Sequence, residues 1–180
     1  VLQDLLTFIL LTGLRPGEAA GASYKQLDEE AATLTLSVQT ESETKNFKTH
    51  VVPLSPMALK IALKHQGESR WLFPMDSRAT KHIHAGAIPK PLRDALPKLK
   101  TLPFTAHDLR RSFATGLAEM KCPNILISMA LNHTVGRVTA IYNRHSYAKK
   151  LREWFDKWGA HVESLAPKPA SKARRLKATA

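Results

Sequence analysis

The sequence predicts a mainly α-helical domain with one small antiparallel β-sheet, an α+β fold. Apolar residues recur at helical spacing through most of the chain, as at Leu2, Leu5, Leu6, Ile9 and Leu10. One stretch, Thr33 to Val38, alternates instead and is rich in strand formers; across a polar interval it is answered by Val51-Val52-Pro53-Leu54, which reads as a β-hairpin. A length of 180 residues suffices for a single hydrophobic core with an appendage. From Pro167 onward there is no apolar period, and five basic residues stand with no acidic one. Residues 1–166 are therefore expected as one domain and 167–180 as a flexible basic tail.

The first helix covers Val1 to Leu11 and ends at Thr12-Gly13. Leu14-Arg15-Pro16-Gly17-Glu18 opens a second, with the proline where a first turn tolerates it and the glutamate in that same turn, so Arg15 sits in a tight link between helices. The hairpin follows, its long polar tip, Gln39 to Lys48, carrying Lys45 and Lys48. Ser55-Pro56 starts a helix that Met57, Leu59, Ile61 and Leu63 extend to about Gln66. Trp71-Leu72-Phe73-Pro74 returns the chain to the core. The basic residues from Met75 to Pro91, interrupted by Pro89 and Pro91, predict a long loop before a short helix near Leu92 to Leu99. A helix bearing His107 runs to about Met120 and breaks at Lys121-Cys122-Pro123-Asn124. Ile125, Leu126, Met129 and Leu131 face the core from the next, which Asn132-His133 ends. Thr134 caps another, with Val135, Val138 and Ile141 as its buried stripe and Tyr142 at its end. After Tyr147, residues Leu151, Trp154, Phe155, Trp158, Val162 and Leu165 form an amphipathic helix that packs either on its own domain or on a neighbour.

Charge narrows the function. Lysine and arginine number 27 against 15 aspartates and glutamates, a formal net charge of +12, so a polyanionic partner is expected, nucleic acid first. A membrane is set aside, because no apolar run is long enough to span a bilayer and no lipidation signal is present. Val1 to Gly13 lacks the basic flank and cleavage site of a signal peptide and starts in mid-pattern, so a further N-terminal segment is expected in the whole protein. The single Cys122 has no internal disulfide partner, which fits a reducing compartment. His82 and His84 form a His-x-His pair without further ligands at metal-site spacing, and no Gly-rich phosphate-binding pattern occurs, so neither metal nor nucleotide cofactor is expected.

Between Thr105 and Tyr142 lie four residues able to act on one phosphate: His107, Arg110, His133 and Tyr142. His107 and Arg110 stand at i and i+3, on one face of a helix, and Leu109, Phe113 and Leu117 are expected on the other face, toward a core. Together, TGLRPGEA, ETKNFKTHVVPLS, HDLRRSFAT and LNHTVGRVTAIY resemble the four successive boxes of the tyrosine recombinases, in particular the phage-integrase catalytic domain. The resemblance spans about Leu5 to Trp158, and it is the order and spacing of all four that makes it specific.

The resemblance implies a DNA breaking-rejoining fold preceded by a separate helical core-binding domain. It also implies an enzyme that cleaves and rejoins double-stranded DNA through a covalent 3′-phosphotyrosine, for integration or excision of a prophage or mobile element. Such an enzyme works as a homotetramer on DNA in the bacterial cytoplasm, at the nucleoid, and an isolated fragment would be a monomer. Position by position, Arg15 matches the first catalytic arginine and Glu18 the acidic residue that supports it. Lys45 matches the hairpin lysine, with Lys48 as the alternative, and His107 and Arg110 match the His-x-x-Arg box. His133 matches the later His-or-Trp position and Tyr142 the nucleophile, with Tyr147 as competitor. Asn132 departs from the family, which more often has Gly before that His. Lys48, Arg111 and Arg144 are expected DNA contacts.

These residue types suit the chemistry. Attack by a tyrosine oxygen on a phosphodiester requires neutralised phosphorane oxygens, removal of a phenolic proton of pKa about 10, and protonation of the departing sugar oxygen. Two arginines supply permanent, bidentate charge, imidazoles move or share protons, and a lysine can serve as the acid. Two other readings remain open on sequence: a type IB topoisomerase with similar active-site chemistry, and a DNA-binding module whose arginines only contact phosphate.

Overall fold

The computed structural model describes residues 1–37, 49–67, 69–75, 80–99, 101–133 and 144–165. In chain order these form α1 (Leu2–Thr12), α2 (Pro16–Ala20), β1 (Leu27–Asp28), β2 (Thr33–Leu36), β3 (His50–Pro53), α3 (Pro56–Ala62), α4 (Pro89–Leu99), α5 (Ala106–Glu119), α6 (Asn124–Ala130) and α7 (Arg144–Leu165). The mainly helical α+β expectation holds. The hairpin tip, the helix expected to follow Thr134 and the basic tail lie outside the described residues, and Lys45, Lys48 and Tyr142 with them.

Helix α1 is the axis of the core. Leu5, Phe8, Ile9 and Leu11 are fully buried, and α3, α5 and α7 pack around them. The sheet is antiparallel in the order β1-β2-β3. Leu34 faces Val52 and Leu36 faces His50 across the β2–β3 pair. Since Leu34, Leu36 and Val52 are buried, the two-residue period of a strand puts His50 on the core face as well.

Three local outcomes differ from the sequence reading. A short strand, β1, extends the hairpin to three strands. Helix α4 begins at Pro89 rather than near Leu92, because prolines in a first turn cost no helical hydrogen bond. Helix α7 begins at Arg144, so Tyr147 lies in its first turn, partly buried against the core.

The last helix packs on its own domain. Phe113 of α5 meets Phe155 at 5.3 Å and, edge to face, Trp158 at 6.1 Å between ring centroids. The Trp158 indole N–H donates to the Leu10 carbonyl at 2.8 Å. Gly116 makes room for it, since a Cβ there would run into the indole. Arg152 donates to the carbonyls of Leu54 (2.8 Å), Ala31 (2.7 Å) and Ala32 (2.8 Å), fastening α7 to the sheet and the start of α3.

Candidate active site

The site begins where α1 stops. Gly13 ends that helix with φ 65°, and a Cβ there would also run into the Phe113 ring. Glycine is thus required twice, by the left-handed backbone and by the close approach of α5. Two residues on, Arg15 stands before α2 with Pro16 in its first turn. The Glu18 carboxylate accepts from the Arg15 backbone N–H at 3.0 Å and from its Nη1 at 2.8 Å. Glu18 is 5% exposed, so the carboxylate fixes both ends of Arg15 from below and leaves the guanidinium partly open.

Arg110 is seated by main-chain oxygens. Its Nη1 donates to the Gly13 carbonyl at 2.6 Å and its Nη2 to the Leu131 carbonyl at 2.7 Å, and the residue is 5% exposed. Arg110 does not stand on the face opposite Phe113 and Leu117, as the sequence reading had it: at i, i+3 and i+7 the three share the core side of α5 with Ala106, and all are buried. Thr105 and Asp108 cap the helix reciprocally: the Asp108 carboxylate accepts from the Thr105 N–H (2.9 Å), and Thr105 Oγ1 from the Asp108 N–H (3.3 Å).

His133 is delivered by the end of α6. Its backbone N–H donates to Ser128 at 2.9 Å and that of Asn132 to Met129 at 3.0 Å, with Asn132 at φ 48°. This is a Schellman ending, in which the residue before His133 takes the left-handed conformation that glycine adopts freely and asparagine tolerates. Arg110 Nη2 lies 3.3 Å from His133 Nε2. A guanidinium can only donate, so Nε2 accepts and the His133 proton sits on Nδ1. Burial first, then Arg110 and Arg15, hold His133 below its ordinary pKa, so it is a neutral donor at neutral pH. Burial and the Arg15 charge push Arg110 down to about 10, which leaves it charged.

Arg15, Glu18, Arg110 and His133 therefore converge from three parts of the chain. His107 lies one turn before Arg110 and is exposed. Arg111 is exposed and paired with Asp108 at 2.7 Å, and that carboxylate, held by Thr105 first and Arg111 after, is lowered to about 2. For Arg144 the backbone alone is described. His82 and His84 do structural work: His82 stands edge-on to Trp71 at 4.7 Å, and His84 Nδ1 accepts from the Gly86 N–H at 3.1 Å. Among the described residues no group of three or more acidic, His or Cys side chains is placed to hold a metal. Sequence reasoning missed His50, which lies in the same electrostatic neighbourhood as Glu18, Arg110 and Arg15. Its parity with Val52 along an alternating strand was the available signal.

A match to the phage integrase family covers residues 2–149. The chain belongs to that family. Among curated relatives, this integrase-family chain is 28% identical over 171 residues to prophage integrase IntZ of Escherichia coli (strain K12), covering 91% of the chain and 40% of the relative. It is 28% identical over 164 residues to prophage integrase IntA of the same organism, covering 89% and 38%. The chain thus spans about two fifths of the length of these relatives. Its fold is that of an integrase from mycobacterium phage Brujita, with a TM-score of 0.68 at 21% identity over 87% of this chain and 51% of the other. It also matches the Tn1549 transposon integrase in complex with a circular intermediate DNA, with a TM-score of 0.63 at 18% identity over 83% and 57%. XerH site-specific recombinase bound to difH substrate gives 0.58 at 21% identity over 85% and 46%.

Proposed function

We propose that this chain carries the catalytic site of a site-specific recombinase that cuts and rejoins double-stranded DNA through a 3′-phosphotyrosine on Tyr142, integrating or excising a prophage or mobile element. One observation carries the reading. Arg110 is buried beside Arg15, and the carboxylate near both is Glu18, already engaged by Arg15. Two guanidiniums against one carboxylate leave positive charge in a desolvated place, an arrangement that is costly until an anion arrives.

A DNA phosphate is that anion. Arg15 and Arg110 bind its non-bridging oxygens with donors already oriented by Glu18, Gly13 and Leu131, so little reorganisation accompanies the growth of charge in the phosphorane. The His133 Nδ1–H donates to the same group. The Tyr142 oxygen attacks phosphorus, the bond from phosphorus to the 5′-oxygen breaks, and the phosphate remains on tyrosine. His107 assists departure of the phenolic proton, and Lys45, or Lys48 in its place, protonates the 5′-oxygen. Attack by a new 5′-hydroxyl reverses each step, with no bond energy lost to water. Lys48, Arg111 and Arg144 contribute to backbone contact, and four copies assemble on DNA while the isolated chain is monomeric. The working place is the bacterial cytoplasm, at the nucleoid.

A nicked suicide duplex carrying the attachment site tests this. The wild-type chain gives a denaturant-resistant protein–DNA band, Arg110→Ala removes it, and Lys45→Ala slows its appearance more than Lys48→Ala. Retardation of the duplex without any band would reduce the protein to a DNA-binding module.

A further inference from the structure

His50 has no role in the scheme above, yet among the described residues it is the buried one closest in chain to the lysine-bearing segment. It opens β3, opposite Leu36, and is 6% exposed. Its imidazole donates to the Ala130 backbone carbonyl, while its Nδ1 is buried without a partner. Ala130 is the last residue of α6, and the next carbonyl, that of Leu131, takes Arg110 Nη2. Two side chains from two other elements thus grip consecutive carbonyls at one helix end, and that end delivers His133. A strand residue facing the core would ordinarily be apolar, and leaving an imidazole nitrogen unsatisfied costs stability.

We propose that His50 is a positioning residue of this site, a buried imidazole that ties the start of β3 to the carbonyl end of α6 and so holds Arg110 and His133 in place. The inference rests on the reading of this cluster as the recombination site. Among the described residues, the charged groups around the imidazole are Glu18 and Arg15 from α2 and its N-cap and Arg110 from α5. Burial foremost, then the two arginines against Glu18, bring His50 down to about 4. It is therefore neutral at working pH and adds no charge to a place that already holds two guanidiniums.

The test compares His50→Phe, which keeps the bulk and loses the hydrogen bond, with His50→Gln, which can restore it. In the full chain, His50→Phe is expected to melt within a few degrees of wild type and bind the attachment duplex within about threefold, while cleaving the suicide substrate at least about tenfold more slowly; a small misplacement of positioned groups has effects of that size. His50→Gln recovers most of the rate. His133, followed by NMR, titrates higher in His50→Phe, because Arg110 no longer stands against it, and stays depressed in His50→Gln. Wild-type cleavage by His50→Phe, or an unmoved His133 titration, overturns the proposal. If wild-type protein forms no adduct, the functional reading fails, and the His133 titration still decides whether His50 positions Arg110.

Discussion

Among the described residues Arg110 is hydrogen-bonded to two backbone carbonyls and to no carboxylate, so the charge that Glu18 does not offset is left for a ligand. The neighbouring imidazoles, by contrast, are kept neutral by burial and by the arginines. His50 is held at about 4 against an ordinary value of 6.5, so between those values the unfolded chain binds a proton that the native state refuses. Its contribution to stability is complete above about pH 6.5 and is lost as pH falls toward 4, by roughly 3 kcal/mol in all. Denaturant titrations between neutrality and pH 4.5 should show this slope, and His50→Gln should flatten it. Asn132 gives a second expectation. With φ at 48°, Asn132→Gly should be neutral or slightly stabilising and retain activity, whereas Asn132→Val should cost about 1–2 kcal/mol by chemical denaturation, a β-branched side chain being strained in that conformation. The sequence departs from the family pattern here, and the backbone explains why the departure is tolerated.

At the scale of elements, the site depends on how helix ends meet. The end of α1 reaches α5 through Gly13 and Phe113, the end of α6 meets Arg110, and α7 is fastened by Trp158 over Gly116 and by Arg152. Gly116→Ala is therefore expected to destabilise by about 1–3 kcal/mol through overpacking beneath Trp158. Urea unfolding followed by tryptophan fluorescence checks this, and a loss below about 0.5 kcal/mol would mean that α7 is not seated there. Helix positions were legible in the sequence because the apolar period is strong in α1, α5, α6 and α7. The start of α4 was not, because Pro89 and Pro91 serve equally as loop and as first-turn residues. Nor could periodicity tell whether α7 turns back on its own domain, since an amphipathic face is the same toward either partner. The complement to Trp158 is a glycine, which leaves no apolar mark.

For the whole molecule, the sequence revealed the site by residue type and order, and the fold supplies the meeting point. Arg15, Glu18, Arg110 and His133 lie more than a hundred residues apart at their extremes and converge because α5 packs along α1. The burial of His50 could be read from its parity with Val52, but its role could not, because Glu18, Arg110 and Ala130 around it are remote in sequence. The chain as a whole carries a net charge of +12, which suits a partner whose affinity is set by phosphate contacts. The central claim is that the arginine cradle serves one nucleophile, Tyr142. The direct measurement is to trap the chain on a nicked suicide duplex, digest away protein and DNA, and locate the phosphonucleotide-bearing peptide by mass spectrometry. The account predicts a single modified residue, Tyr142, with the adduct abolished by Tyr142→Phe and retained by Tyr147→Phe; a modification on Tyr147, or its survival in Tyr142→Phe, would contradict it.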